Sequence, residues 1–140
     1  MDLTREERAW ESLWSVDYLR KERIKIKGKL GYWKVETPEG IKKITLLVHE
    51  HSPTCRYRPN FQTKLLLHDV DEFVVWVEGE QHGYIFSARF VKEGAERYPQ
   101  KINRHGQWQP NLRADTDELE LGGREDIFSL RIEWRTPKKG

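Results

Sequence analysis

The stretch Asp71-Glu72-Phe73-Val74-Val75-Trp76-Val77 is followed by Glu78-Gly79-Glu80-Gln81-His82-Gly83 and then Tyr84-Ile85-Phe86-Ser87-Ala88, the strongest strand signal in the chain with its connector and partner. Phe73 to Val77 is dense in β-branched and aromatic residues, which pack well on a pleated, buried surface. The polar, glycine-bearing connector reads as a hairpin. The chain is then expected to return as a partner strand from Tyr84 to Val91, with Tyr84, Phe86 and Ala88 on one face.

Working upstream, Phe61 to Leu67 reads as a short strand, and His49 to Asn60 as a polar loop carrying Pro53 and Pro59. Ile41 to Val48 is nearly all apolar after Lys43, the pattern of a more buried strand. Thr37-Pro38-Glu39-Gly40 is a turn signal. Ile24, Ile26, Leu30 and Tyr32 alternate with Lys25, Lys27 and Lys29, whereas Trp33 and Val35 take the opposite parity. Gly28 or Gly31 is therefore expected to mark a bulge or bend. Thr4-Arg5-Glu6-Glu7 reads as a capping box. Behind it Ala9, Trp10, Leu13, Trp14, Val16, Tyr18 and Leu19 give a broad apolar face, so a helix is expected from Thr4 to Lys21.

Working downstream, Lys92 to Gly123 is polar and poor in periodicity, with Leu119 and Leu121 as a brief edge element. A final strand is expected with Phe128, Leu130, Ile132 and Trp134 inward and Ser129, Arg131, Glu133 and Arg135 outward. Lys138-Lys139-Gly140 reads as a frayed tail. The expected architecture is one α+β domain over residues 1–140. Its N-terminal helix packs on a mixed or mostly antiparallel β-sheet of roughly five to seven strands.

The chain has 140 residues, 36% apolar and 34% charged. Six Trp, five Tyr and five Phe at strand spacing argue for a packed core over disorder. Cys55 is the lone cysteine, which excludes an intramolecular disulfide and suits a reducing compartment. The first twenty residues hold Asp2, Arg5, Glu6, Glu7, Arg8 and Glu11, unlike a secretory signal. No apolar run approaches the roughly 18 residues of a membrane helix. The expected setting is cytoplasmic, with no membrane partner.

The net charge is only +2, but the signs are segregated. Arg20 to Lys34 holds seven basic residues and one acid, Asp69 to Glu80 five acids and no base, and Asp115 to Asp126 six acids and one base. Segregation of this kind is compatible with an electrostatic binding face. DNA or RNA is the expected partner. Phosphates are held by Lys and Arg from several elements. The candidates are Lys25, Lys27 and Lys29 on one strand, Arg56 and Arg58 in the polar loop, and Arg97, Lys101, Arg104 and Arg113 further on. Arg97 to Arg113 also supplies Asn103, His105, Gln107 and Trp108, amides and rings able to touch bases. The acidic stretch Asp115–Asp126 is the candidate surface for a protein partner, which would make the chain a modulator of a nucleic-acid-processing enzyme.

Two sets of residues point to metals. His49, His51 and Cys55 offer three zinc ligands, with His68 or His82 as a fourth, at a spacing that matches no strong zinc signature. Glu36, Glu50, Asp69, Asp71 and Glu72 are carboxylates at expected strand ends, the residue type that holds a hard divalent cation.

The residues from Gly31 to Val91 resemble the core of small PD-(D/E)xK-type nucleases. Asp69 to Val77 resembles the late strand of that family, Gly83 to Ala88 its hairpin partner, and Arg56, Tyr57, Arg58, Asn60 and Phe61 its basic aromatic link. The resemblance implies a strand pair bearing an aspartate and then Glu-x-Lys. Matched by strand order, these positions fall near Lys34 and at Leu47-Val48-His49. A shifted match uses Glu36 with Glu50 or with the Gln62-Thr63-Lys64 triplet. The resemblance thus implies either a nuclease-like core without catalysis or a Mg²⁺-dependent endonuclease. In the latter, Glu36, Glu50 and Asp69 would be the cation ligands and Lys64 would polarise the water.

Overall fold

The computed structural model describes residues 4–14, 17–28 and 30–134. The expectations for Val16, Lys29, Arg135 and the Lys138-Lys139-Gly140 tail lie outside the described residues.

The capping box forms as read. Thr4 Oγ1 accepts from the Glu7 N–H at 3.1 Å, and Glu7 Oε1 accepts from the Thr4 N–H at 3.3 Å. It opens helix α1 (Arg5–Trp14), shorter than the expected span to Lys21. Asp17 takes a left-handed conformation (φ 66), which a helix cannot continue through. Beyond it the chain is already extended: Leu19 N–H donates to the Glu36 carbonyl at 2.9 Å and Glu36 N–H to the Arg20 carbonyl at 2.7 Å.

Among the described residues, six strands form the main sheet: β1 (Lys21–Lys27), β2 (Leu30–Thr37), β3 (Gly40–His49), β6 (Glu72–Val77), β7 (His82–Ser87) and β12 (Arg131–Glu133), in the order β1-β2-β3-β6-β7-β12. Neighbours are antiparallel except β3 and β6, so the sheet is mixed. The lysine-lined segment is a hairpin instead of one strand. It turns at Gly28, with a register shift between Lys25 and Lys27. Ile24 lies opposite Tyr32, so Ile24, Ile26, Leu30 and Tyr32 still reach one core.

Alternation along β6 divides the interior in two. Val74 and Trp76 face α1 with Ala9, Trp10, Leu13, Val35 and Ile44. Phe73, Val75 and Val77 face the opposite layer with Phe61, Tyr84, Phe86, Trp108, Leu112 and Leu119.

That opposite layer is where the structure departs most from the sequence reading. The return strand stops at Ser87, whose hydroxyl accepts from the Phe90 N–H at 3.1 Å and caps a helix, α2 (Ala88–Arg97). Segments read as polar loop contribute β4 (Arg56–Tyr57), β8 (Gln107–Trp108) and β9 (Asn111–Arg113); the edge element expected at Leu119 forms as β10 (Glu118–Glu120), and β11 (Arg124–Asp126), for which no element is expected, pairs with it. Strands β11-β10-β9-β4 form a small antiparallel sheet, and β8 pairs with β5 (Phe61–Gln62). The expected strand to Leu67 is instead a 3-10 helix over Thr63–His68, which buries Leu65 and leaves Leu67 85% exposed. Another 3-10 turn, Phe128–Leu130, replaces the start of the final strand and turns Phe128 outward, 63% exposed.

Candidate functional site

The β2–β3 ladder pairs Trp33 to Thr37 with Ile44 to Gly40 and goes no further. Yet β2 begins at Leu30 and β3 runs on to His49 beside β6. The two strands therefore splay apart beyond Trp33 and Ile44. At Gly31 the β2 backbone is held close to β1: a Cβ there would lie 2.4 Å from the Ile24 carbonyl oxygen and 2.7 Å from Arg23 Nη1. Only glycine tolerates that approach.

The splay opens a cleft of about 640 Å³. One wall is Arg23, Leu30, Gly31 and Trp33, and the other Thr45, Leu46 and Leu47. The far-face layer closes it with Gln62, Lys64 and Leu65, and with Arg104, His105 and Gln107. The β5–β8 pair sets Gln62 directly opposite Gln107. Asn103 organises the loop before β8. Its Oδ1 accepts from the His105 N–H at 2.9 Å and the Gln107 N–H at 3.1 Å, and its Nδ2 donates to Gln107 Oε1 at 3.0 Å. Thr63 Oγ1 donates to the Gly106 carbonyl at 3.0 Å and docks that loop on the 3-10 helix.

The cleft lining holds Arg23, Lys64, Arg104 and His105 and, among the described residues, no carboxylate. Such a surface attracts an anion and has no oxygen charge with which to hold a cation. Arg23 also lies over the Trp33 ring, 5.5 Å from its centroid.

The other expected contacts are dispersed. Lys25 and Lys27 are exposed on β1. Arg56, Arg58 and Arg113 gather with Asn111 at the small sheet, where Arg58 Nε donates to Asn111 Oδ1 at 3.1 Å. Arg113 also lies 3.9 Å from both Asp115 and Glu120. Arg97 sits over the Tyr98 ring at the end of α2, and Lys101 is half-buried in a short 3-10 turn. Trp108 is a correction: its side chain is 0% exposed and packs on Phe61 and Phe90 inside the core, out of reach of a base.

The proposed catalytic residues are not brought together. Glu36 lies opposite Ile41, at the start of β3, and pairs with Arg20 at 3.6 Å. Glu50 follows the far end of β3, 3.9 Å from Arg5. Nine residues of strand separate the two ends, roughly 30 Å at the usual rise. Asp69 ends the 3-10 helix in a left-handed conformation (φ 57), while Lys64 lines the cleft. Among the described residues no three His, Cys, Asp or Glu side chains are grouped to hold a metal ion. That applies equally to His49, His51 and Cys55. His49 stacks obliquely on Tyr57 with ring centroids 5.7 Å apart, His51 faces Glu80 at 3.8 Å, and Cys55 packs against the far-face core.

The acidic segment is largely engaged within the fold. Asp115 and Glu120 flank Arg113, Glu118 faces Arg124 at 4.0 Å, Glu125 accepts from the Tyr98 hydroxyl at 3.1 Å, and Asp126 accepts from the Phe128 N–H at 2.8 Å. Asp117 is buried, accepts a short hydrogen bond from the Tyr84 hydroxyl and takes Arg131 at 3.1 Å. Burial, reinforced by the Asp117 carboxylate, pushes the Tyr84 hydroxyl well above its ordinary range. No pattern in the sequence marked this triad, whose members come from three separate segments.

No family model matches this chain, and neither a curated protein nor a solved structure is significantly similar to it.

Proposed function

We propose that this protein binds nucleic acid through the cleft between β2 and β3, on a nuclease-like core and without cleaving it. The observation that carries this reading is the cleft's lining: cations from β1, the 3-10 helix and the Asn103–Gln107 loop converge on one concavity that, among the described residues, has no carboxylate. Phosphodiester is the abundant polyanion that such a surface fits. Support for the nuclease-like core comes from the antiparallel β6–β7 pair, formed by the residues that resemble the family's late strand and its partner. Lys34, Leu47 and His49 stand where the resemblance places the aspartate, the glutamate and the lysine, which favours binding over hydrolysis.

The test is fluorescence anisotropy with labelled DNA and RNA at low and moderate salt, beside incubation with Mg²⁺ or Mn²⁺. Affinity is expected to fall steeply with salt, with no cleavage. Lys64→Ala with Arg104→Ala is expected to weaken binding at least about ten-fold and to reduce the salt slope by roughly 1.5. Failure to bind any probe at low salt, or a double variant that binds like the parent, would overturn the reading.

A further inference from the structure

We infer that the cleft receives a single unpaired nucleotide, with its phosphate at the rim and its base inside. This rests on the nucleic-acid reading above and specifies which form of nucleic acid the cleft selects.

Three observations lead there. The first is the order of exposure with depth. Lys64, Arg104 and His105 are exposed, Gln62 and Gln107 are half-buried, and Thr45 and Leu65 are buried. Charge thus sits outermost, amides lie beneath it, and a hydroxyl and an apolar side chain form the floor. A nucleotide has the same polarity along its length, from phosphate to base edge and ring face.

The second is the chemistry of the middle layer. Gln62 and Gln107 are a registered cross-strand pair, so two amides stand side by side. Asn103 Nδ2 donates to Gln107 Oε1, so the Gln107 amide nitrogen points away from that contact. Paired amides can satisfy the donor and acceptor pattern of a base edge. The splay adds more. Alternate backbone groups of a strand point to each neighbour, and from Thr45 onward β3 has, among the described residues, a ladder partner only on its β6 side. The groups on its other side face the cleft.

The third is shape. The cleft is a slot between two strand edges with the volume of a small-ligand pocket. An intact duplex offers such a slot its phosphates and groove edges, but its Watson–Crick edges are paired and its ring faces stacked. An unpaired nucleotide can enter with its base edge open.

The experiment compares a short single strand, the intact duplex of the same sequence, and that duplex carrying a one-nucleotide bulge, at one salt concentration. The single strand and the bulged duplex are expected to bind at least about ten-fold tighter than the intact duplex, the scale set by the energy of unpairing one base. In Gln62→Ala/Gln107→Ala that preference is expected to fall below about two-fold, since the base contacts are gone and the phosphate contacts remain. Thr45→Val, which keeps the side chain's shape, is expected to lower the preference in the same direction, and circular dichroism checks that each variant is folded. An intact duplex that binds as tightly as the single strand overturns this inference and leaves the cleft reading standing. So does a preference untouched in folded variants. Absence of binding by every probe overturns both.

Discussion

His49 closes β3 with its Nε2 buried and without a hydrogen-bond partner among the described residues. An orphaned buried polar atom is destabilising, because its water is lost and nothing replaces it. Burial also holds the imidazole's pKa below its ordinary value of 6.5, so the folded state keeps the ring neutral. The sign of the pH effect follows. As pH falls through 6.5, the unfolded chain takes up the proton and the folded chain resists it, so stability present above 6.5 is lost on acidification. His49→Phe keeps the ring against Tyr57 and removes both the orphan and the titration. Urea unfolding is expected to show the variant equal to the parent or more stable by up to about 1 kcal/mol near neutral pH. The parent should lose more stability than the variant between about pH 7.5 and about pH 5. Parallel pH curves for the two proteins would show that His49 does not titrate differently on folding.

Helix α2 shows why one element was illegible while its neighbours were not. Tyr84, Phe86 and Ala88 continue a two-residue alternation past the point where the backbone changes, so the strand pattern runs into the helix. The signal that marks the change is Ser87 as a cap, followed by Ala88, Val91 and Ala95 at helical spacing. Gly94 works against that signal, since glycine in an exposed helix is about 1 kcal/mol worse than alanine. Here the structure gives it a reason. A Cβ at Gly94 would lie 2.2 Å from Trp108 Cη2 and 2.5 Å from Cζ2, and the indole is fixed between Phe61 and Phe90. Gly94→Ala is therefore expected to reverse the usual sign and destabilise the protein by about 1–3 kcal/mol in urea unfolding, the range for an overpacked core. A stabilised variant would mean that the indole yields. By contrast β6 and the α1 capping box were legible because local residues decide them. The α1 terminus was not, because Leu19 and Arg20 are drawn into pairing with Glu36, a partner 17 and 16 positions away.

At the scale of the molecule, the candidate site owes its existence to where a ladder stops. Lys64, Arg104, His105 and Gln107 were each visible as basic or amide residues, but nothing local in the sequence marks the end of β2–β3 pairing at Trp33 and Ile44. Arg23 and Thr45 gave no separate signal for the same reason. The two cores on either side of the sheet were foreshadowed by β6, whose alternate residues serve both. That shared strand carries a thermodynamic consequence. Both faces are packed on β6, which β3 and β7 hold in the ladder, so the two cores are expected to unfold together. Tryptophan fluorescence reports on both layers, through Trp10 and Trp76 on one and Trp108 on the other. Its urea transition is expected to coincide with that of far-ultraviolet circular dichroism. Side-chain coupling across the sheet should nonetheless be weak, because the two clusters are packed separately. Ile44→Val on the α1 face and Ile127→Val on the other are each expected to cost about 0.5–1.5 kcal/mol. Together they should add within about 0.5 kcal/mol. Two separate transitions would show that the faces are independent units. A larger interaction energy in a single transition would show instead that strain passes through β6 from one core to the other.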